Sequence, residues 1–149
     1  MRTWFFTSMT LVAFVLHSSM LYAQKNTNVN FLYGIDFPTV KIKAHNEGKP
    51  IFIVFCANWS MPCLVLDDTT FQDVDLAKYI AEKYIAYSVD VDDFDGFGLK
   101  QQFGIKTLPT LLILNPESKV LGRYEGTMDA PQLMKILQEL EGQKVVEKE

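Results

Sequence analysis

Cysteine is scarce in this 149-residue chain: two residues, Cys56 and Cys63, cannot build a disulfide-dense scaffold, so the core has to come from packing. Basic residues are outnumbered, 14 Lys and Arg against 18 Asp and Glu, and none are clustered, which argues against a nucleic acid partner. There are two histidines, and neither stands near a candidate nucleophile: His17 lies just past the first apolar stretch, and His45 reads as a solvated helix residue. Past residue 23 no apolar run is long enough to cross a membrane. Internal repeats and low-complexity tracts are also missing. What is abundant is apolar material, 48% hydrophobic and 13% aromatic, enough for one proper core in one domain.

The first residues stand apart from that core. Arg2 supplies a positive charge, an apolar run follows from Trp4 to Leu16 broken only by Thr and Ser, and Leu21-Tyr22-Ala23 leads into polar Gln24-Lys25-Asn26. This pattern reads as a secretory signal peptide, residues 1–23, cut after Ala23, although Leu21 is larger than the small residue usual three places before a cut. The competing reading is an uncleaved anchor, for which the run is short. No cysteine follows the run, so a lipid-anchored form is not supported. The expectation is an exported protein, periplasmic or secreted, with no stable membrane insertion after cleavage. Loss of Arg2 leaves 13 basic against 18 acidic residues, a net charge of −5. An oxidising compartment would allow a thiol pair to be oxidised.

Residues 24–34 read as a linker, 35–141 as the folded domain and 142–149 as a charged tail, with fraying expected from Glu141 onward. Within the domain, residues 40–46 suit a short amphipathic helix ended by Gly48 and Pro50. Residues 51–56 are an unbroken apolar run, as in a strand buried on both faces. Ser60 opens a helix through about Asp68, and Phe71-Gln72-Asp73 restarts it, with Leu76, Ala77, Ile80 and Tyr84 at helical spacing. Residues 85–91 form a second strand, 92–96 an acidic turn and 99–103 a short helix closed by Gly104. Residues 110–114 and 120–125 form a hairpin around Asn115-Pro116-Glu117-Ser118, and Asp129 caps a last helix bearing Leu133, Ile136, Leu137 and Leu140. Strands alternating with helices argue for parallel pairing, with the final hairpin adding an antiparallel edge. The fold class is α/β: a mixed four-stranded sheet between helices in a three-layer sandwich.

Three stretches in this order resemble the thioredoxin fold, over about residues 35–140. Trp59-Ser60-Met61-Pro62-Cys63, after the apolar run and Ala57-Asn58, looks like the family's active-site turn, in which Trp-Cys-x-Pro-Cys holds two sulfurs. Gly104-Ile105-Lys106-Thr107-Leu108-Pro109-Thr110 looks like the loop that presents a cis-proline. Tyr124-Glu125-Gly126, followed by Asp129 and Leu133, looks like the last strand and helix. Thr70-Phe71 and Val89-Asp90-Val91-Asp92 resemble the exported thioredoxin-like branch.

The chemistry departs from that pattern. A dithiol works because one thiolate, stabilised at a helix N-terminus, attacks a disulfide and a second sulfur then resolves the mixed disulfide. Ser60 occupies the first sulfur's place, and a hydroxyl forms no disulfide. A preferred N-cap residue, Ser60 is expected to accept from the Cys63 N–H. A catalytic serine is the weaker alternative, because it lacks a base. Val54 stands where the resemblance implies a buried acid that takes a proton from the second thiol, and it cannot titrate.

Cys63 is the sulfur that remains, either a packing thiol or the reactive group. Cys56 stands where the family commonly has an aromatic residue, on the same strand face as Val54, and the resemblance puts that face beneath the active-site helix. Two readings stay open: a displaced Cys56–Cys63 pair, which needs Cα atoms within about 7 Å, or two separate core thiols. The resemblance further implies a binding groove walled by Trp59, Leu108 and Pro109, with backbone access at Gly126. Asp90, Asp92, Asp93 and Asp95 invite a calcium loop, but Phe94 and Gln101 fall where ligands belong, so a strand end with helix-capping acids is the better explanation.

The functional expectation is an exported thioredoxin-like protein of thiol–disulfide exchange or redox homeostasis with a non-standard Ser60/Cys63 site. Cys63 and Cys56 are its catalytic candidates, and Trp59, Ser60, Leu108, Pro109 and Gly126 its substrate-binding ones. Its partners would be protein or peptide thiols and disulfides of the cell envelope, with no metal and no cofactor. The alternative is a redox-silent module that holds an extended peptide or partner protein.

Overall fold

The computed structural model describes residues 27–146; the expected signal peptide lies outside the described residues. Helix α1 (Phe37–Glu47) begins earlier than its expected start at residue 40. The Asp36 carboxylate accepts from the Thr39 N–H at 2.7 Å, and Pro38 in the first turn suits a helix start. Gly48, at φ 62°, ends it in the left-handed conformation. Strand β1 (Ile51–Cys56) is buried along its whole length, as its unbroken apolar run predicts. Helix α2 (Met61–Asp68) and a single 3₁₀ turn (Thr70–Gln72) lead into α3 (Val74–Lys83), whose N-cap Asp73 accepts from the Leu76 N–H at 2.8 Å. Then come β2 (Ile85–Asp90), α4 (Phe94–Gln102), β3 (Thr110–Leu114), β4 (Val120–Glu125) and α5 (Ala130–Val146). Asp129 caps α5 by accepting from the Gln132 N–H at 2.8 Å, and the Gln132 side chain accepts from the Asp129 N–H at 3.3 Å, a reciprocal box.

The strands form one mixed sheet in the order β2-β1-β3-β4. Alternation along β1 divides the core. Phe52, Val54 and Cys56 pack with α2, α3 and α5 on one face, through Cys63, Leu66, Leu76, Ile80, Leu133 and Leu137. Ile51, Ile53 and Phe55 pack with α1 and α4 on the other, through Phe37, Val40, Ala44 and Leu99. Each Val, Leu, Ile or Phe among them contributes roughly 1.5–3 kcal/mol relative to exposure, so the three-layer sandwich rests on both faces of one strand.

Four sequence expectations are corrected. β3 runs antiparallel to β1, not parallel: α4 and the following loop return the chain to the end from which β2 leaves, so Phe55 faces Thr110 beside the Cys56–Asp90 pair. Within the expected linker, the described residues 27–34 are not simply a linker. Val29 and Phe31 are buried, Phe31 stacks edge-on to Phe71 at 5.0 Å, and Leu32 bridges to Tyr87. The helix expected at residues 99–103 starts at Phe94, because Gly96 lets its first turn sit on the end of β2. Helix α5 continues past Glu141, where fraying is expected. That carboxylate accepts from the Tyr79 hydroxyl at 2.6 Å and pairs with Lys83 at 2.7 Å, which ties the helix to α3.

Candidate functional site

One end of the sheet gathers every candidate residue. There β1 ends at Cys56, β2 ends at Asp90, β3 begins at Thr110 and β4 ends at Glu125. From Cys56 the chain turns through Ala57-Asn58-Trp59-Ser60 and enters α2, the Ser60 N–H donating to the Ala57 carbonyl at 3.1 Å. That tight return sets Cys63, in the first turn of α2, over the face that carries Cys56. The two are joined by a disulfide with a Cα–Cα separation of 5.8 Å. Of the two readings left open by the sequence, the structure holds the displaced pair. Both cysteines are buried, Cys63 completely and Cys56 to 2% exposure.

Ser60 is also buried, and its backbone carbonyl accepts from Leu64 at 3.1 Å, but its side chain makes no capping hydrogen bond. The expected bond from the Cys63 N–H is therefore absent. The residue begins the helix with extended backbone (φ −81°, ψ 105°) rather than through its hydroxyl. Val54 lies two residues before Cys56 in the same apolar cluster, opposite Leu111 in the sheet, so a hydrocarbon side chain fills the position where the resemblance implies a proton acceptor.

Trp59 is 70% exposed and yet held. Its indole Nε1 donates to Asp92 Oδ2 at 2.6 Å, and the neighbouring Asn58 Nδ2 donates to Asp90 Oδ2 at 3.0 Å. Asp90 Oδ1 accepts from the Asp92 N–H at 3.1 Å, so the two carboxylates brace one another's loop as well as the turn. The sequence reading treats these acids as a strand end and helix caps and misses this clamp. Its signal is the register: Asp90 stands beside Cys56 across the parallel β1–β2 pair, which pattern alone does not fix. Asp93 stands at the N-cap of α4 but its side chain makes no capping bond, so the helix-capping explanation does not hold at Asp93. Among the described residues no group of three or more His, Cys, Asp or Glu is placed to hold a metal ion.

Leu108 is half-buried, Pro109 is buried, and the bond between them is cis, as the resemblance implies. Thr110 Oγ1 donates to the Thr107 carbonyl at 2.7 Å and fixes this loop to its strand. Gly126, at φ 88°, gives its N–H to the Pro109 carbonyl at 2.8 Å. That donor serves the loop.

A thioredoxin-like domain model matches residues 37–141. This chain belongs to the thioredoxin-like family. It is 25% identical over 115 residues to the thiol:disulfide interchange protein DsbD of Yersinia pestis, across 74% of this chain but only 19% of that protein. Among solved structures, a putative disulphide-isomerase from Bacteroides thetaiotaomicron matches with a TM-score of 0.67 and 28% identity, over 76% of this chain and 93% of that one. The DsbH oxidoreductase matches at TM-score 0.62 and 19% identity, covering 76% and 88%, a likeness of fold alone. The thioredoxin-like chain thus shares its architecture with disulfide-exchange proteins, while its own sulfurs sit one strand end and one helical turn apart instead of within a single turn.

Proposed function

We propose that this protein is an exported thiol–disulfide exchange protein whose redox couple is Cys56 and Cys63. The observation that carries the proposal is the disulfide between them, at the end of the sheet where the family keeps its reactive centre. In the reducing direction one thiolate of the open pair attacks a substrate disulfide, forming a mixed disulfide and expelling one substrate thiolate. The second sulfur then attacks the mixed disulfide, closes Cys56–Cys63 and expels the other thiolate. The protein gives up two electrons, the substrate gains them, and the two thiol protons pass to the substrate sulfurs. A partner dithiol resets the pair by the reverse sequence. Cys63 is the better attacker, since the first turn of α2 favours negative charge there. Both sulfurs are buried, so exchange requires the 57–60 turn to open. The leader pattern of residues 1–23 supports export to the cell envelope or beyond, with protein thiols and disulfides as partners.

A second reading has its own support. Buried sulfurs beside a 70% exposed Trp59 suit a redox-silent module, stapled by its disulfide, that holds a peptide or partner protein. Insulin reduction separates the two. The exchange reading expects activity that disappears in both Cys63→Ala and Cys56→Ala. Native protein without activity, and a disulfide that stays closed in millimolar dithiothreitol without denaturant, would establish the silent module instead.

A further inference from the structure

Helix α4 begins with two aromatic residues that serve no core. Phe94 is 95% exposed and Phe97 is 55% exposed, three residues apart and so on one face of the helix. Phe94 forms one wall of a cleft of about 290 Å³, closed by Ile35 and Tyr87 and rimmed by Asp90, Asp93 and Asp95. Its charge is one-sided. The charged residues that line it are Asp90, Asp93 and Asp95, with no Glu, Lys or Arg among the lining. The field reaches into the core: burial first, then the charges of Asp95, Asp36 and Asp93, push the Tyr87 phenol up to about 12.

We infer that this cleft is a docking surface for a lysine- or arginine-bearing extended segment of a partner protein. Long basic side chains match both of its properties. Their aliphatic stems lie along Phe94 and Phe97, and their charged heads reach the rim carboxylates while staying in water. A second copy of this chain fits poorly, because a symmetric contact would set one acidic cluster against another. The cleft adjoins the disulfide end of the sheet, since Asp90 on its rim also accepts from Asn58, next to Trp59. Docking here needs no sulfur, so it stands apart from the exchange reading.

The test is fluorescence anisotropy with the chain beginning at Gln24 and a fluorescein-labelled peptide alternating Lys and Leu, compared with its Glu-for-Lys counterpart. The basic peptide is expected to bind about ten-fold tighter or more than the acidic one, and to weaken as salt rises from about 0.05 to 0.5 M. Asp93→Lys with Asp95→Lys, and separately Phe94→Ser, are each expected to lose about ten-fold in affinity. Charge reversal elsewhere, Asp75→Lys with Glu139→Lys, is expected to change it less than about two-fold. Binding is expected to persist in the Cys56→Ser, Cys63→Ser double variant. No preference for the basic peptide, equal loss from the remote reversal, no effect of Phe94→Ser, or dependence on the cysteines would each overturn the inference.

Discussion

At position 60 a hydroxyl stands where the family's attacking sulfur would be, and it does not cap the helix it precedes. The sequence makes the missing sulfur plain. It does not reveal whether Cys56 and Cys63 meet, because that depends on how tightly residues 57–60 turn, and the Ser60 N–H to Ala57 bond is what makes the turn tight. Ser60→Cys restores a thiol three residues before Cys63 and offers it a second partner. We expect this variant to reduce insulin about ten-fold faster than the native protein, or more; an unchanged rate would mean that the hydrocarbon at Val54 limits exchange whichever sulfur attacks. Closing a loop of this length contributes roughly 2–3 kcal/mol through the unfolded chain. Cys56→Ser is therefore expected to lower the unfolding free energy by about that amount, read from urea midpoints with and without dithiothreitol. Reductant should shift the native midpoint and leave the variant's unchanged.

Elements were legible where pattern and packing agree. The ends of β1, β3 and β4 match the apolar run and the hairpin turn residues, because burial on both faces or a tight connection leaves little choice. The start of α4 was not, since Asp-Phe-Asp-Gly-Phe-Gly reads as an acidic turn to any propensity scale. Tertiary approach decides it. A Cβ built on Gly96 would lie 1.7 Å from the Asp90 carbonyl oxygen, so this first turn rests on the β2 end only because position 96 has no side chain. Gly96→Ala is a helix-favouring change in sequence terms and a clash in structural ones. It is expected to cost about 3 kcal/mol in urea unfolding and to weaken the hold on Trp59, read as a shift in its fluorescence. A neutral or stabilising result would mean that α4 moves freely against β2. The early core residues were missed for a related reason. Val29 and Phe31 fall in Thr27-Asn28-Val29-Asn30-Phe31-Leu32-Tyr33, too short a pattern to report that they join the cluster of Phe52 and Phe71.

Across the whole molecule, tyrosines tie peripheral segments to the core and give the fold an alkaline limit. The Tyr87 hydroxyl donates to the Ile35 carbonyl at 2.8 Å and anchors the segment before α1, while that of Tyr84 donates to the Leu137 carbonyl at 3.2 Å and anchors α5. Burial, reinforced by neighbouring acids, pushes each phenol up to about 12 from 10.0, and Tyr79 beside Glu141 shifts the same way. Below pH 10 the phenols hold their protons in folded and unfolded chains alike, so their contribution is fully present. Between about 10 and 12 the unfolded chain releases protons first; it then binds fewer than the folded chain, and stability falls as pH rises. The pair therefore makes the fold weaker across that window. Tyr84→Phe with Tyr87→Phe loses two buried hydrogen bonds and starts less stable at neutral pH. Its urea midpoint is nonetheless expected to fall less steeply between pH 10 and 12 than that of the native chain. Parallel slopes would assign the alkaline limit to other groups and remove these two tyrosines from it.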